Sequence, residues 1–130
     1  MTDVIVHAAD PLPHISTLRP RHPEVRFTPC DSYEGLPDLI ADLKPDAVFS
    51  TRFAGTPTYP TAALLGPHGP RWISVGGSGV DHLGRWDKSK VTVTNAAGVA
   101  APMMAEYAFG CLLQFSLGIP GLNADKAARK

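Results

Sequence analysis

The stretch WISVGGSGVDHL, Trp72–Leu83, guides the interpretation of the whole chain. Trp72–Val75 has the aromatic and β-branched content of a strand buried on both faces, and glycines follow it at once. Residues without a Cβ let a ligand approach the main chain, and successive amide N–H groups in such a turn can converge on an anion. The stretch therefore predicts a buried strand ending in a ligand-binding loop, or else a tight strand-to-helix turn that binds nothing.

The composition limits which class of protein can carry that loop. A chain of 130 residues fits one domain and is small for a complete two-substrate enzyme. Its 12 basic and 12 acidic side chains give no net field to attract nucleic acid or an anionic membrane. Cys30 and Cys111 are far apart, which indicates reduced thiols, and Met1–Ala9 lacks the features of an export signal. We therefore expect a cytoplasmic protein without nucleic-acid or membrane partners.

Apolar segments that alternate with helical ones predict an α/β fold with a mostly parallel five-stranded sheet and helices on both faces. The clearest helix is expected over Leu36–Leu43, where apolar residues recur at i, i+3, i+4 and i+7. Shorter helices are expected over His14–Leu18 and Thr61–Leu65. The predicted strands are Val4–Val6, Val25–Thr28, Asp46–Ser50, Trp72–Val75 and Val91–Thr94.

A long helix predicted over Val99–Leu117 is apolar on most of its circumference. Its exceptions fall on one line, four residues apart: Pro102, Glu106, Gly110, Gln114 and Gly118. The fully apolar stretches are too short for a membrane span. The helix is either an ordinary core helix or one that lies between this domain and another domain or subunit. In the second case Glu106 is expected to meet a buried polar partner across that junction.

Three blocks together resemble the first half of the D-isomer-specific 2-hydroxyacid dehydrogenases. They are ISVGGSGVDHL from Ile73, VTVTNAAGV from Val91 and AEYAF from Ala105, in the family's order and at about its spacing. Residues 1–70 match only in the order of strands and helices. The resemblance implies a flavodoxin-like substrate-binding domain over residues 1–98. It also implies an interdomain or dimer helix over 99–118, and a polar tail over 119–130 before a Rossmann cofactor domain that this chain lacks.

The family's reaction is reversible hydride transfer between NAD(P)H and a small 2-oxo acid of the glyoxylate or hydroxypyruvate kind. The resemblance implies that its catalytic histidine, glutamate and arginine come from the cofactor half, so no residue here is assigned as catalytic. NAD or NADP would serve the complete enzyme, and neither is expected to bind this chain alone. A dinucleotide loop needs G-x-G-x-x-G, whereas Gly77-Ser-Gly79 is followed by His82 in the third glycine's position.

Substrate binding is the role that the resemblance carries over to this chain. The family's loop after the fourth strand offers backbone N–H groups to the substrate carboxylate, and the matching positions are Ser78 and Gly79, with Gly77 beside them. Arg52, which follows the third strand, is a candidate partner for the same anion, or else a solvated arginine at a loop edge.

The other polar residues near these blocks are expected to be structural. Asp81 and His82 are adjacent and so poorly placed to act on one atom, and Asn95 is expected to cap the long helix or hold a turn. The remaining histidines have no metal-ligand spacing and are interpreted as surface or loop residues: His7, His14, His22 and His68. No metal site is expected.

Two classes of function remain open. The first is the substrate-binding half of a D-2-hydroxyacid dehydrogenase, inactive by itself. The alternative is a non-enzymatic flavodoxin-like module that binds a small carboxylate or pairs with a partner through its long helix. Because that helix carries so much apolar surface, both predict a homo-oligomer formed through residues 99–118.

Overall fold

The computed structural model of the chain describes residues 1–55 and 58–129, and within them it shows an α/β fold built on a five-stranded, all-parallel sheet. The strands are β1 (Thr2–His7), β2 (Val25–Cys30), β3 (Ala47–Ser50), β4 (Trp72–Val75) and β5 (Thr92–Asn95). The helices are α1 (Leu12–Leu18), α2 (Leu36–Leu43), α3 (Thr61–Leu65), α4 (Ala101–Ser116) and α5 (Ile119–Ala127), and a 3₁₀ turn spans Asp81–Leu83. The predicted fold class is therefore confirmed.

The strand order is β2-β1-β3-β4-β5, which is the flavodoxin-like order. The chain passes from β1 outward to β2 and then returns to β3 on the other side of β1, so that Val4 pairs with both Phe27 and Ala47. The direction of winding reverses between β1 and β3, and this position is the switch point of the sheet. The last residues of the two strands, His7 and Ser50, are partners in register there. In open parallel sheets ligands collect beyond the carboxyl ends of the strands.

Strand β2 lies at one edge of the sheet, as its alternating sequence predicted. It continues two residues beyond the predicted end at Thr28, through Pro29 to Cys30, and Pro29 pairs with Val6. An edge strand tolerates proline because the missing N–H can face away from the neighbouring strand. The predicted end at Thr28 is therefore two residues too early, because a proline usually ends a strand and here it does not.

One face of the sheet carries the main hydrophobic core. Ile5, Val48 and Ile73 lie side by side in register on three adjacent strands, and all three are fully buried. The buried side chains that pack in the same cluster from outside the sheet are Leu36 and Ile40 of α2, Leu64 of α3 and Leu83 of the 3₁₀ turn.

Helix α2 has the predicted bounds and buries the predicted stripe. Leu36 and Ile40 are buried, and Pro37 stands in the first turn, where no intrahelical N–H bond is lost. Lys44 ends the helix in the left-handed conformation at φ 46°, and its N–H bonds the Ile40 carbonyl. Sequence periodicity was sufficient here because the helix needs only one apolar face.

The opposite face of the sheet is less completely covered. Leu18 of α1 lines an apolar cavity of about 350 Å³ together with Val6 and Phe27. Farther along this face Trp72 is 48% exposed and Ser74 is half-buried. The prediction that β4 is buried on both faces is therefore wrong, because Trp72 and Ser74 on this face remain accessible to solvent.

Residues 98–129 belong to a second compact unit that contains α4 and α5. None of the α4 residues is buried, and the side chains of Tyr107 and Phe115 are 76% and 79% exposed. Glu106 is also exposed, so its predicted buried partner stays a prediction. Among the described helices, none is long and apolar enough to cross a membrane.

The segment after α4, for which the sequence predicts a polar tail, is mostly helical. Gly118 adopts a left-handed conformation at φ 64°, and its N–H bonds the Phe115 carbonyl, which ends α4. A second helix, α5, then spans Ile119–Ala127. Its weak apolar periodicity explains why the sequence did not reveal it.

Candidate functional site

The candidate site lies at the carboxyl end of β4, where the loop Gly76–Val80 leaves the sheet. Backbone hydrogen bonds continue the ladder past the strand ends: Gly76 N–H donates to the Ser50 carbonyl, and Ala96 N–H donates to the Gly77 carbonyl, each at 3.0 Å. The start of the loop is therefore held between the ends of β3 and β5. This is the edge at which parallel sheets place their ligands.

Close packing explains why position 76 is a glycine. A Cβ built there would lie 2.6 Å from Thr51 Cγ2 and 3.1 Å from a ring carbon of Phe49. The main chain of the loop thus presses against the residues that end β3 and begin the following loop. Gly77 and Gly79 have open space around the Cβ position, so packing does not require glycine at either of them.

Asn95 fixes the middle of the loop. Its side-chain amide donates to the Ser78 carbonyl at 2.7 Å, while its oxygen accepts the Ala97 N–H at 3.3 Å. The expected turn function of Asn95 is confirmed. It does not cap α4, which begins after Ala100 without a side-chain cap. Asn95 instead joins the turn that follows β5 to the glycine loop.

The loop presents free hydrogen-bond donors. The carbonyls of Gly77 and Ser78 are occupied by donors from the end of β5, whereas the N–H groups of Ser78 and Gly79 bond no described residue. Both residues are exposed. Main-chain N–H groups that have no partner within the protein, next to carbonyls that are already engaged, can attract an anion.

Arg52 lies two residues after the end of β3, at the same edge of the sheet as the loop. Its side chain is exposed and forms no ion pair with a described residue. Because the neighbouring Thr51 contacts Gly76, the segment that carries Arg52 adjoins the start of the loop. The guanidinium is thus available to an anion, and both of its interpretations remain open.

The residues after the loop are arranged as a structural turn. Asp81 and His82 lie in the 3₁₀ turn, whose end Gly84 bonds the Asp81 carbonyl at 3.0 Å. The His82 ring packs edge-on against Tyr59 at 4.4 Å, and its carbonyl accepts the Thr61 hydroxyl at 3.2 Å. These contacts agree with the structural role expected for both residues, and no bond joins their side chains in the described structure.

His7 is a buried residue that sequence reasoning missed. The sequence predicts a surface or loop residue, whereas His7 ends β1 and is fully buried. Its Nδ1 lies 2.8 Å from Ser50 Oγ across the switch point, and its ring packs against Phe53 at 4.6 Å and Tyr33 at 5.2 Å. The only available signal was its position directly after a buried strand. The other three histidines of that group are exposed, as predicted.

The cluster around His7 is held in an uncharged state. Burial lowers the pKa of His7 to about 4, although the nearby Ser32 carbonyl raises it in part. Burial also raises the pKa of the Tyr59 hydroxyl, which faces the Ser50 hydroxyl. Three buried atoms, His7 Nε2, Tyr59 Oη and His82 Nε2, lack a hydrogen bond of normal geometry in the described structure. The cluster therefore closes the switch point with neutral aromatic groups and does not offer a charge there.

The loop does not fit a dinucleotide. The fingerprint G-x-G-x-x-G needs a helix that opens after its glycines, whereas Gly77 and Gly79 precede only a 3₁₀ turn of 3 residues. The third glycine's position is taken by His82, whose ring packs against Tyr59. Within the described residues no group of three His, Cys, Asp or Glu side chains could hold a metal ion.

Comparison with protein-family models found none that matches the chain, and comparison with curated proteins found no match.

Proposed function

We propose that the chain is the substrate-binding part of a D-isomer-specific 2-hydroxyacid dehydrogenase. In this proposal the loop Gly76–Val80 binds the carboxylate of a small 2-oxo or 2-hydroxy acid. The observation that carries it is the pair of exposed N–H groups of Ser78 and Gly79, which bond no described residue, beside the engaged carbonyls of Gly77 and Ser78. The resemblance of three sequence blocks to that family supports the reaction class.

The geometry suits a small acid better than a large one. Amide N–H dipoles bind a carboxylate without a side chain, and the open space at Gly77 and Gly79 lets the acid reach them. Arg52 supplies a positive charge at the same edge and can bond a carboxylate through two N–H groups. Glyoxylate and hydroxypyruvate have the size and charge that such a loop accepts.

The reaction itself requires groups that the described residues around the loop do not supply. In the family, NAD or NADP supplies the hydride, and a histidine, a glutamate and an arginine of the cofactor half perform the proton transfer and hold the carbonyl. No described residue near the loop forms such a set. The part of this chain is to bind and orient the acid, so we expect no turnover from the chain alone.

Titration with glyoxylate and hydroxypyruvate tests the proposal. We expect saturable changes in the amide resonances of Ser78 and Gly79, because these N–H groups gain an acceptor. The variant Gly79→Val places a branched side chain in the space the acid needs and should weaken binding at least about tenfold. Ser78→Ala is the matched control and should retain binding, since it removes the hydroxyl and keeps the N–H group.

The outcome that would contradict the proposal is an absence of amide changes with either acid, or equal weakening by Ser78→Ala and Gly79→Val. Arg52→Gln separates the two interpretations of that residue. A weaker affinity assigns Arg52 to the anion, whereas an unchanged affinity leaves it solvated. Arg19→Gln, an exposed arginine after α1, controls for the loss of one positive charge.

The second candidate function is a non-enzymatic flavodoxin-like module that associates through its long helix. The exposure of α4 favours it, since an apolar helix of 16 residues without buried side chains offers a surface to a partner. This alternative is supported if Gly79→Val leaves every ligand response unchanged while polar substitutions at Leu113 and Leu117 abolish association.

A further inference from the structure

A second concave region lies at the opposite end of β4 from the glycine loop. It is a cavity of about 780 Å³ lined by the loop after α3, by Arg71 before β4, and by the segment that leads into β5. Its volume falls within the range of about 300–1,000 Å³ typical of small-molecule sites. Because parallel strands begin at this edge, the cavity is separate from the proposed acid-binding loop.

The lining carries positive charge that is not neutralised. Arg71, Arg85 and Lys90 face the cavity, against one acidic residue, Asp87. Neither arginine forms an ion pair with a described residue. The charge is local, since the whole chain is neutral. It is not evident in the sequence because Arg71 is 14 residues away from Arg85, and Asp87 stands between Arg85 and Lys90.

Asp87 is already engaged within its own turn. Its Oδ1 accepts the Ser89 N–H at 2.9 Å and the Ser89 hydroxyl at 2.6 Å, and its Oδ2 lies 3.7 Å from Lys90 Nζ. The Ser89 bonds lower the pKa of this carboxyl, so it is ionised at neutral pH and shapes the turn. The two arginines are left to an external anion.

Trp86 gives the cavity an aromatic wall. Its side chain is half-buried and packs against the hydrophobic core, so its position is fixed before any ligand arrives. The adjoining lining is apolar or compact: Leu65, Gly66, Pro67, Pro70 and Val91. An indole next to unpaired guanidinium groups combines a stacking surface for a planar ring with bidentate donors for a phosphate.

We propose that this cavity is a binding site for a small phosphate monoester that carries a planar aromatic ring. The phosphate lies between Arg71 and Arg85, with Lys90 at the rim, and the ring packs against Trp86. The site is independent of the acid-binding loop, because it shares no residue with Gly76–Val80 or Arg52.

Phenyl phosphate, inorganic phosphate and phenol are the probes that test the site. We expect phenyl phosphate to bind at least about tenfold more tightly than either fragment and to shift the Trp86 indole N–H resonance. The Trp72 indole, which donates to Thr94 Oγ1 at 3.0 Å, should stay unchanged and serves as an internal reference. Arg71→Gln combined with Arg85→Gln should weaken binding at least about tenfold, and both residues are exposed, so the fold should be retained.

Arg19→Gln combined with Arg21→Gln is the matched control, since it removes two exposed arginines elsewhere. The inference is overturned if phenyl phosphate leaves the Trp86 resonance unchanged, if inorganic phosphate binds as tightly, or if the control weakens binding as much as the cavity variant. NADH also carries phosphates, so any binding of NADH is repeated on the cavity variant. Loss of that binding assigns it to this cavity and leaves the acid-binding loop unaffected.

Discussion

Gly76 and Gly77 are adjacent and look alike in the sequence, but their surroundings differ. A Cβ at position 76 would meet Thr51 and Phe49, whereas position 77 opens to free space. Neither residue has a positive φ, so backbone strain does not separate them. The contrast concerns packing alone, and it gives a matched pair of substitutions.

We predict that Gly76→Ala destabilises the fold by about 1–3 kcal/mol, because the added methyl group forces Thr51 or Phe49 to move. Gly77→Ala should change the free energy of unfolding by less than about 1 kcal/mol. Urea denaturation of the two variants measures the difference. Equal destabilisation would show that the loop is not packed as described.

His7 makes stability depend on pH at the residue scale. In the unfolded chain its pKa is 6.5, and in the folded chain burial lowers it to about 4. Between about pH 6.5 and about pH 4, His7 is therefore protonated in the unfolded state and neutral in the folded state. The free energy of unfolding falls as the pH drops through this range. Above pH 6.5 this contribution is fully present.

We predict that the wild-type chain loses at most about 3 kcal/mol from this source between pH 7 and pH 4, since each pKa unit corresponds to about 1.4 kcal/mol. The variant His7→Phe should lose less over the same range, although it is less stable at pH 7 because Ser50 loses its partner. His14→Phe, at an exposed position, is the control. Parallel pH profiles of the wild type and His7→Phe would contradict the assignment.

At the scale of elements, helices α2 and α4 have similar apolar content and opposite environments. α2 places Leu36 and Ile40 in the core, whereas α4 buries none of its residues. The pattern of α2 has one apolar face, which a sheet can cover, and that of α4 is apolar nearly all round. One neighbouring element cannot bury all the apolar surface of a helix such as α4.

We predict that Ile40→Ala destabilises the chain by about 2–5 kcal/mol, because the side chain is only 2% exposed and its removal leaves a cavity. Leu112→Ala on α4 should cost less than about 0.5 kcal/mol, since Leu112 is 63% exposed. Chemical denaturation at low protein concentration checks both values. A large loss for Leu112→Ala would mean that α4 is covered in solution.

At the scale of the whole molecule, the apolar surface of α4 predicts self-association. Sedimentation velocity over a concentration series should show a species larger than the monomer. Leu113→Gln combined with Leu117→Gln should shift the population to monomer, because it places polar groups on the apolar surface of α4. Both side chains are exposed, Leu113 on the helix and Leu117 at its end. Leu122→Gln on α5 is the matched control, and a monomer at every concentration would contradict the prediction.

Sequence periodicity predicted most of the fold at the level of elements. The bounds of α2, α3 and β4 agree with the prediction, and the edge position of β2 follows from its alternation. The misses have physical causes: Pro29 is tolerated at an edge, and α5 has little apolar periodicity. The local sequence pattern determines whether a segment is a helix or a strand, whereas the residues at which it begins and ends also depend on the elements packed beside it.

The sequence by itself determined the α/β class, the glycine loop after β4 and the apolar character of α4, because these depend on residue type and spacing. Only the tertiary structure decided that His7 is buried beside Ser50, that Asn95 holds Ser78, and that Trp86 shares a cavity with Arg71, which is distant along the chain. Each of these pairs residues that the sheet brings together from different strands and loops. Strand order and register determine which residues of different strands come into contact, and neither can be inferred from the local sequence pattern.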